Sequence, residues 1–198
     1  MLNKMIELLG RLFGRHDPAP AQAPKKTLAW GNRVSAEFLA KVEAIASRLS
    51  VDPNHLMAIM AFESGRTFSP SIKNMAGSGA TGLIQFMPRT AIGLGTSVEQ
   101  LAGMTAVKQL DWVEKYFQPY RGRMKTLSDI YMAVLWPAAV GKPDDYVLFD
   151  RETRPTAYRQ NAGLDANKNG QITKFEAAAK VYQMLEEGRS KTNLWVQS

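Results

Sequence analysis

The sequence predicts a mainly α-helical fold with a small β element, and three observations lead to this prediction. Several segments place apolar residues at helical spacing. Polar residues suited to helix N-caps stand directly before most of these segments. Strong strand signals are absent, and only the glycine-rich stretch 72–86 has the composition of a short β-hairpin. We therefore expect a helical domain that carries one small hairpin.

The chain begins with an amphipathic segment, residues 1–14, which predicts a helix with one apolar face. That face is formed by Leu2, Met5, Ile6, Leu9, Leu12 and Phe13. Two interpretations stay open: the helix docks on its own domain, or it lies on an anionic membrane surface. Residues 15–27 contain three Pro-Ala units without periodicity, which indicates a semi-rigid linker.

The main domain is predicted over residues 28–150, and its helices are recognised by their start signals. Ser35 caps the first helix, and Asp52 caps the second, with Pro53 at the first helical position. Two later helices begin at predicted capping boxes. In a capping box, the side chain of the residue three positions after a Ser or Thr N-cap accepts a hydrogen bond from the backbone amide of that N-cap. These boxes are Ser97 with Gln100 and Thr126 with Asp129.

Composition limits the chemistry that this chain can perform. Apolar residues make up 45% of the 198 residues, as in globular proteins. There is no cysteine and there are only two histidines, which excludes thiol catalysis and disulfides and argues against a histidine-rich metal site. The net charge of +7 favours polyanionic partners. No basic run is interleaved with aromatic residues, so we do not expect nucleic acid as a partner. Separately, we expect the protein to be a monomer.

One carboxylate stands out because of its position on a predicted helix. Glu63 follows, at helical spacing, three apolar residues of the same face, Leu56, Ile59 and Met60. Desolvation and the negative end of the helix dipole both raise the pKa of a carboxyl group there. A proton held near neutral pH is what a general acid needs. The alternative is a glutamate at the rim of the core, or one paired with Arg66 or Arg89.

The residues after Glu63 resemble the catalytic domain of soluble lytic transglycosylases, relatives of goose-type lysozyme. The resemblance rests on "ES" at residues 63–64, "GATGLIQFMP" at residues 79–88 and "TA" at residues 90–91, and it covers roughly residues 50 to 142. It implies a lysozyme-like helical fold with Glu63 as the only catalytic carboxylate. In that family the acid protonates the glycosidic oxygen of the β-1,4 bond between N-acetylmuramic acid and N-acetylglucosamine. It then takes the proton of the muramic acid 6-hydroxyl, which gives a 1,6-anhydro product.

The same resemblance proposes substrate-binding residues. Gln85 matches a residue that hydrogen-bonds sugar, Met87 one that lines the groove, and Ser64 a hydroxyl beside the acid; for Met87, core packing is an equal alternative. The family usually carries "YNAGPG" on a later helix, whereas this chain has "WPAAVG" from Trp136. Tyr131 is a candidate for the missing phenol, and Trp136 is either a stacking wall for sugar or a core residue.

A second motif lies near the end of the chain. The segment "DANKNGQITKFE" fits the twelve-residue calcium loop position by position. The predicted ligands are Asp165, Asn167, Asn169, Gln171 through its carbonyl, Thr173 and Glu176. The alternative is a turn closed by a capping box between Thr173 and Glu176. We expect residues 151–198 to hold this structural calcium loop and a helix that leaves it, with no regular helix entering because Gly163 interrupts the preceding segment.

Three functions remain open at this point. The first is a peptidoglycan lytic transglycosylase that binds glycan strands. The second is a hydrolytic muramidase of the same fold, which usually needs a second carboxylate; Asp111, Asp129, Asp144 and Asp145 are available. The third is an inactive wall-binding scaffold. We expect action on a periplasmic or extracellular cell wall. Because the N-terminus is not a clear signal peptide, a phage lysis or virion-associated role, or export by another route, follows.

Overall fold

The computed structural model describes residues 26–74 and 77–197. The predicted N-terminal helix, residues 1–14, and nearly all of the predicted linker lie outside these described residues. Within the described ranges, no helix is long and apolar enough to cross a membrane.

Helices dominate the described residues, as expected from the sequence, and short 3-10 turns connect several of them. In chain order the helices are α1 (Ala36–Leu49), α2 (Pro53–Glu63), α3 (Pro88–Gly93), α4 (Val98–Ala102), α5 (Ala106–Phe117), α6 (Leu127–Leu135), α7 (Pro155–Asn161) and α8 (Lys174–Gly188). The strands are β1 (Thr27–Leu28), β2 (Val147–Asp150), β3 (Gln171–Thr173) and β4 (Trp195–Val196).

The predicted helix starts are confirmed. The side chains of Ser35 and Asp52 accept hydrogen bonds from backbone amides at the starts of α1 and α2. Both predicted capping boxes form, Ser97 with Gln100 and Thr126 with Asp129. These signals were readable because a cap depends only on residues within one helical turn.

Helix α2 is the centre of the molecule. Its residues Leu56 to Ala61 are all buried, and α1, α6 and α8 pack around it. The C-terminal helix α8 belongs to the same core, because Ala178 and Val181 are buried together with residues of α2 and α6. Near the described N-terminus, the Trp30 indole donates a hydrogen bond to the Met184 carbonyl of α8 at 2.9 Å.

The β structure differs from the expected hairpin. Strand β1 pairs with β4 and β2 pairs with β3, both antiparallel, so each small sheet joins segments distant in sequence. The described part of the stretch 72–86 contains only isolated bridges, Lys73 with Thr81 and Thr81 with Phe86. The predicted small β element is therefore present, but in the described part of 72–86 it consists of isolated antiparallel bridges and not of a regular ladder. Left-handed backbone at four positions, Gly77, Gly79, Gly82 and Gln85, turns the chain too often for consecutive pairs to form.

A buried ion pair joins the start of α8 to the start of α6. The Lys174 ammonium donates to the Asp129 carboxylate, and both side chains are at most 5% exposed. Lys174 also donates to the Lys142 carbonyl at 2.6 Å. The other bonds of Asp129 come from backbone amides, including that of Gly141 at 2.8 Å. Burial raises the pKa of Asp129, but the Lys174 bond and these amides outweigh it and hold the pKa below its ordinary value.

We expect Lys174→Met to lower the free energy of unfolding by about 3–5 kcal/mol, because it leaves the Asp129 charge buried without its partner. Chemical denaturation at pH 7 measures this. The double variant Lys174→Met with Asp129→Asn removes both charges and should recover part of the loss. If the single and double variants lose the same stability, the ion pair does not hold the two helices together.

Candidate active site

Glu63 ends the buried helix α2, and its carboxylate has no charged partner. The side chain is only partly exposed, and it makes no hydrogen bond or ion pair with any described residue. Burial alone raises the pKa of Glu63 to about 7. A carboxyl group with this pKa is half protonated at neutral pH, so it can give a proton and take one back.

The nearest arginine in sequence is held away from Glu63 by the turn that follows. Gly65 and Arg66 both adopt left-handed backbone, and the Arg66 amide donates to the Ala61 carbonyl at 2.7 Å, which closes the helix end. The Arg66 guanidinium then forms two bonds with the Glu187 carboxylate of α8, at 2.7 and 2.6 Å. The suggested pairing of Glu63 with Arg66 is therefore not formed.

Two phenols lie close to Glu63. Tyr116 of α5 and Tyr131 of α6 both have pKa values raised by burial, and the charge of Glu63 raises both further. The Tyr116 hydroxyl donates to the Ala133 carbonyl at 2.7 Å. Tyr131 packs edge-on against Phe62 with ring centroids 5.6 Å apart, and its hydroxyl makes no hydrogen bond with the described residues. The structure therefore brings Tyr131, a sequence candidate, to Glu63, and adds Tyr116, which sequence reasoning missed.

The glycine-rich loop after α2 is fastened by a residue that the sequence did not single out. Gln109 of α5 is fully buried; its side-chain oxygen accepts from the Leu83 amide at 2.7 Å. Its amide group donates to the carbonyls of Pro70 and Leu101, both at 2.9 Å. A Cβ at Gly82 would meet the Gln109 side chain at 2.4 Å, and its φ of +85° also favours glycine. In the sequence, the only signal for this role is that Gln109 is a polar residue within the amphipathic pattern of α5.

The three residues proposed on this loop and beside the acid have different environments. Met87 is 47% exposed, so it is open to a ligand and the core-packing alternative is wrong. Gln85 is partly buried, and its amide donates to the carbonyls of Ile72 and Gly82 at 3.3 and 3.1 Å. Ser64 is fully buried, and its hydroxyl accepts from the Phe68 amide at 2.9 Å. Ser64 therefore stabilises the turn after Glu63, and its buried side chain is not accessible to a sugar.

Trp136 stands at the C-cap of α6 and faces β2. Its ring packs edge-on against Phe149 with centroids 5.1 Å apart, and the Arg154 guanidinium lies 5.8 Å from its centre. These contacts favour the packing interpretation of Trp136 over a stacking wall for sugar.

Three of the four aspartates considered as a second carboxylate are engaged elsewhere. Asp111 pairs with Lys41 and Lys108, at 2.7 and 3.2 Å. Asp129 belongs to the buried ion pair with Lys174, and Asp144 accepts from the Ser128 hydroxyl at 2.8 Å. Asp145 is exposed. No acidic neighbour among the described residues contributes to the raised pKa of Glu63, which arises from burial.

In the predicted calcium loop, the first and last motif residues, Asp165 and Glu176, both accept hydrogen bonds from the loop itself. Asp165 accepts hydrogen bonds from the Asn169 and Gly170 amides and from the Tyr158 hydroxyl, the last at 2.7 Å. Gly170, at the sharp turn, has a φ of +88°. The Oε2 atom of Glu176 accepts from the Thr173 amide and hydroxyl, so the capping box forms. Its Oε1 atom is buried and has no hydrogen-bond partner in the described structure.

The middle of this loop consists of two turns built on side-chain amides. The Asn167 oxygen accepts from the Asn169 amide at 3.0 Å, and the Asn169 oxygen accepts from the Gln171 amide at 2.8 Å. Among the described residues, no three His, Cys, Asp or Glu side chains form a cluster that could hold a metal ion. Asp165 and Glu176 are the two carboxylates that the motif contributes.

A helix does enter the loop, contrary to our expectation. Helix α7, Pro155–Asn161, is followed by a 3-10 turn, Ala162–Leu164. Pro155 occupies the first helical position, where its fixed φ suits a helix start. Tyr158 is buried and bonded to Asp165, which fastens the helix to the loop. Gly163 lies in the 3-10 turn after the helix, so it does not interrupt α7.

A mainly helical fold, in which a buried helix ends in an unpaired carboxyl group beside a loop of left-handed backbone, is consistent with the lysozyme-like class of proteins. Comparison with protein families agrees, because residues 41–121 match the model of the transglycosylase SLT domain. This match supports an SLT domain over these residues and, with it, a lytic transglycosylase that acts on peptidoglycan. No curated protein matches the chain.

The raised pKa of Glu63 makes the stability of the protein depend on pH. The folded state binds this proton more tightly than the unfolded state, so the contribution is complete below pH 4.5 and is lost as pH rises through about 7. At pH 8 the buried charge costs about 3 kcal/mol.

We expect Glu63→Gln, which carries no charge at any pH, to melt several degrees above the wild type at pH 8 and close to it at pH 5. Thermal unfolding at the two pH values measures the difference. An equal difference at both pH values would mean that the carboxyl group is not desolvated in the folded protein.

Proposed function

We propose that this protein cleaves the β-1,4 bond between N-acetylmuramic acid and N-acetylglucosamine, with Glu63 as the only catalytic carboxyl group. The single observation that carries the proposal is the unpaired, largely desolvated carboxyl group of Glu63, whose pKa is raised to about 7. Glu63 ends α2 and lies within residues 41–121, the range of the SLT match, which supports this proposal.

The chemistry needs one proton, which Glu63 supplies and then takes back. The protonated carboxyl group donates to the glycosidic oxygen while the bond from C1 of the muramic acid to that oxygen breaks. The resulting carboxylate accepts the proton of the 6-hydroxyl of the same muramic acid, whose oxygen forms the new bond to C1. The products are a 1,6-anhydro end and a free 4-hydroxyl, and Glu63 is protonated again. Tyr131, with its free hydroxyl beside Glu63, is our candidate for orienting the sugar.

The transglycosylase reaction fits the charges around Glu63 better than hydrolysis does. A hydrolytic muramidase usually positions a second carboxylate within about 5–10 Å of the acid to bind water or act as nucleophile. The aspartates Asp111, Asp129 and Asp144 are engaged by other partners, and burial alone accounts for the raised pKa of Glu63. An inactive wall-binding scaffold has no need of a desolvated acid, so we favour it least.

We also propose that the loop from Asp165 to Glu176 binds calcium as a structural ion. The observation in favour is the buried Oε1 atom of Glu176, which has no partner among the described residues and stands at the closing position of the motif. A cation would satisfy this atom while Oε2 keeps its bonds to Thr173. Asp165, Asn167, Asn169, Gln171, Thr173 and Glu176 would hold the ion. With only two carboxylates, an affinity on the order of 0.1–1 mM is expected.

For the biological setting, we propose a phage lysis or virion-associated enzyme that acts on the periplasmic or extracellular wall. The basis is the SLT match, because peptidoglycan is the cell-wall polymer on which lytic transglycosylases act. We also propose anionic membrane contact through the amphipathic, basic residues 1–14, and a monomeric state.

Glu63→Gln should lose nearly all cleavage of purified peptidoglycan, because the amide cannot donate the required proton. Mass spectrometry of the released muropeptides measures the loss and identifies the product. The wild type should release 1,6-anhydro ends, with activity that falls as pH rises through about 7.

Each other outcome of that experiment identifies a different function. Reducing ends from the wild type would show a hydrolytic muramidase. No cleavage by folded wild-type protein would support the scaffold. Wild-type activity in Glu63→Gln would remove Glu63 from the mechanism.

Calcium should raise the melting temperature by a few degrees at a concentration tenfold above its Kd, where binding to the folded state adds about 1.4 kcal/mol. Glu176→Gln should abolish this shift, because it removes the carboxylate. Glutamine at the same position still forms a capping box, so the helix start is preserved. Calorimetric titration with calcium and thermal melts of both proteins provide the measurement. If millimolar calcium gives neither heat nor a melting shift with the wild type, the segment is only a capped turn.

A further inference from the structure

A cavity lies between the end of α2 and the outer face of α8, next to the acid but separate from the loop and from the two phenols. Its volume is about 290 Å³. It is lined by Phe62, Arg66, Lys180, Gln183, Met184 and Glu187, and we call it the α2–α8 cavity. Phe62 directly precedes Glu63 on α2, and its ring packs against Tyr131 with centroids 5.6 Å apart. One aromatic ring therefore separates this cavity from the residues around the acid.

The lining groups differ in whether they already have partners. Arg66 and Glu187 form an ion pair through two hydrogen bonds, and this pair lines one side of the cavity. Lys180 and Gln183 lie one turn apart on α8, and neither side chain makes a hydrogen bond or an ion pair with any described residue. Phe62 and Met184 add apolar surface. The cavity thus presents a free ammonium and a free amide over an apolar base.

These features fit a short acidic peptide with small apolar side chains. A carboxylate would meet the Lys180 ammonium, a peptide carbonyl or amide would bond Gln183, and alanine methyl groups would rest on Phe62 and Met184. In peptidoglycan, a peptide of this chemistry branches from the muramic acid, the same sugar whose C1 reacts in the proposed mechanism. A peptide on that sugar therefore has to lie close to the acid.

We propose that the α2–α8 cavity binds the stem peptide of the muramic acid at the cleavage point, with Lys180 as the residue that recognises its carboxylate. This inference rests on the proposed function, because it assumes that the glycan strand is the substrate. It makes the enzyme selective for strands that still carry their peptides, and it gives α8 a direct role in substrate binding.

The experiment compares two substrates with a matched pair of variants of the full chain. The substrates are peptide-bearing glycan strands and the same strands stripped of peptide by an amidase. The variants are Lys180→Gln and Lys191→Gln. Lys191 is also exposed and makes no ion pair with any described residue, so each variant lowers the net charge equally. The matched control therefore accounts for the general attraction of a basic protein to an anionic wall.

We expect the wild type to show a higher kcat/KM on peptide-bearing strands than on stripped strands. Lys180→Gln should reduce this preference about two- to fivefold, as fits one exposed charge pair, and through KM rather than kcat. Lys191→Gln should keep the wild-type preference. An equal preference in both variants, or no preference in the wild type, would overturn the inference.

A binding measurement separates failure of the inference from failure of the proposed function. Glu63→Gln protein is titrated with a soluble muramyl tetrapeptide, with and without the additional Lys180→Gln substitution, and Kd is measured by calorimetry. A two- to fivefold weaker Kd in the double variant supports the cavity even if the wild type cleaves no strand. An unchanged Kd, or no binding at all, overturns the cavity as the peptide site even if cleavage proceeds as proposed.

Discussion

The chain encloses helix α2 on all sides and ends it with a carboxyl group that no cation neutralises in the described structure. A lysine or arginine beside Glu63 would lower its pKa and leave a carboxylate unable to donate at neutral pH. The surrounding residues avoid this outcome. Glu187 binds the guanidinium of Arg66, and the groups that feel the charge of Glu63 include the phenols of Tyr116 and Tyr131. The buried helix, the turn after it and the partner on α8 together keep this one proton available near pH 7.

The parts of this arrangement that depend on local sequence were predictable. The i, i+7 spacing from Leu56 placed Glu63 on the apolar face of α2, and the residues before each helix located its start. Residues that act through distant contacts were not predictable. Gln109 binds a loop 26 residues away, and Lys174 pairs with Asp129 across 45 residues. A single sequence contains no periodicity that reports such separations, so Tyr116 and Gln109 could only be found in the folded chain.

The buried pair of Lys174 and Asp129 links the C-terminal loop to the site. Lys174 opens α8 two residues before Glu176, the closing position of the proposed calcium loop. Asp129 lies in the first turn of α6, two residues before Tyr131. The pair therefore connects the end of the loop to the helix that carries the phenol beside Glu63. Because both charges are buried, relative movement of these two helix ends would separate them and cost several kcal/mol.

The packing of α8 on α2 also determines which segment of this chain can be moved as a unit into another protein. The family match ends at residue 121, before α6 and α8, yet both helices cover the apolar surface of α2. A fragment cut to the matched residues would leave the helix of Glu63 exposed to water on two sides, and its pKa would return toward that of an ordinary glutamate. A chimera that keeps this packing therefore needs the described chain from β1 to β4, two strands that pair with each other.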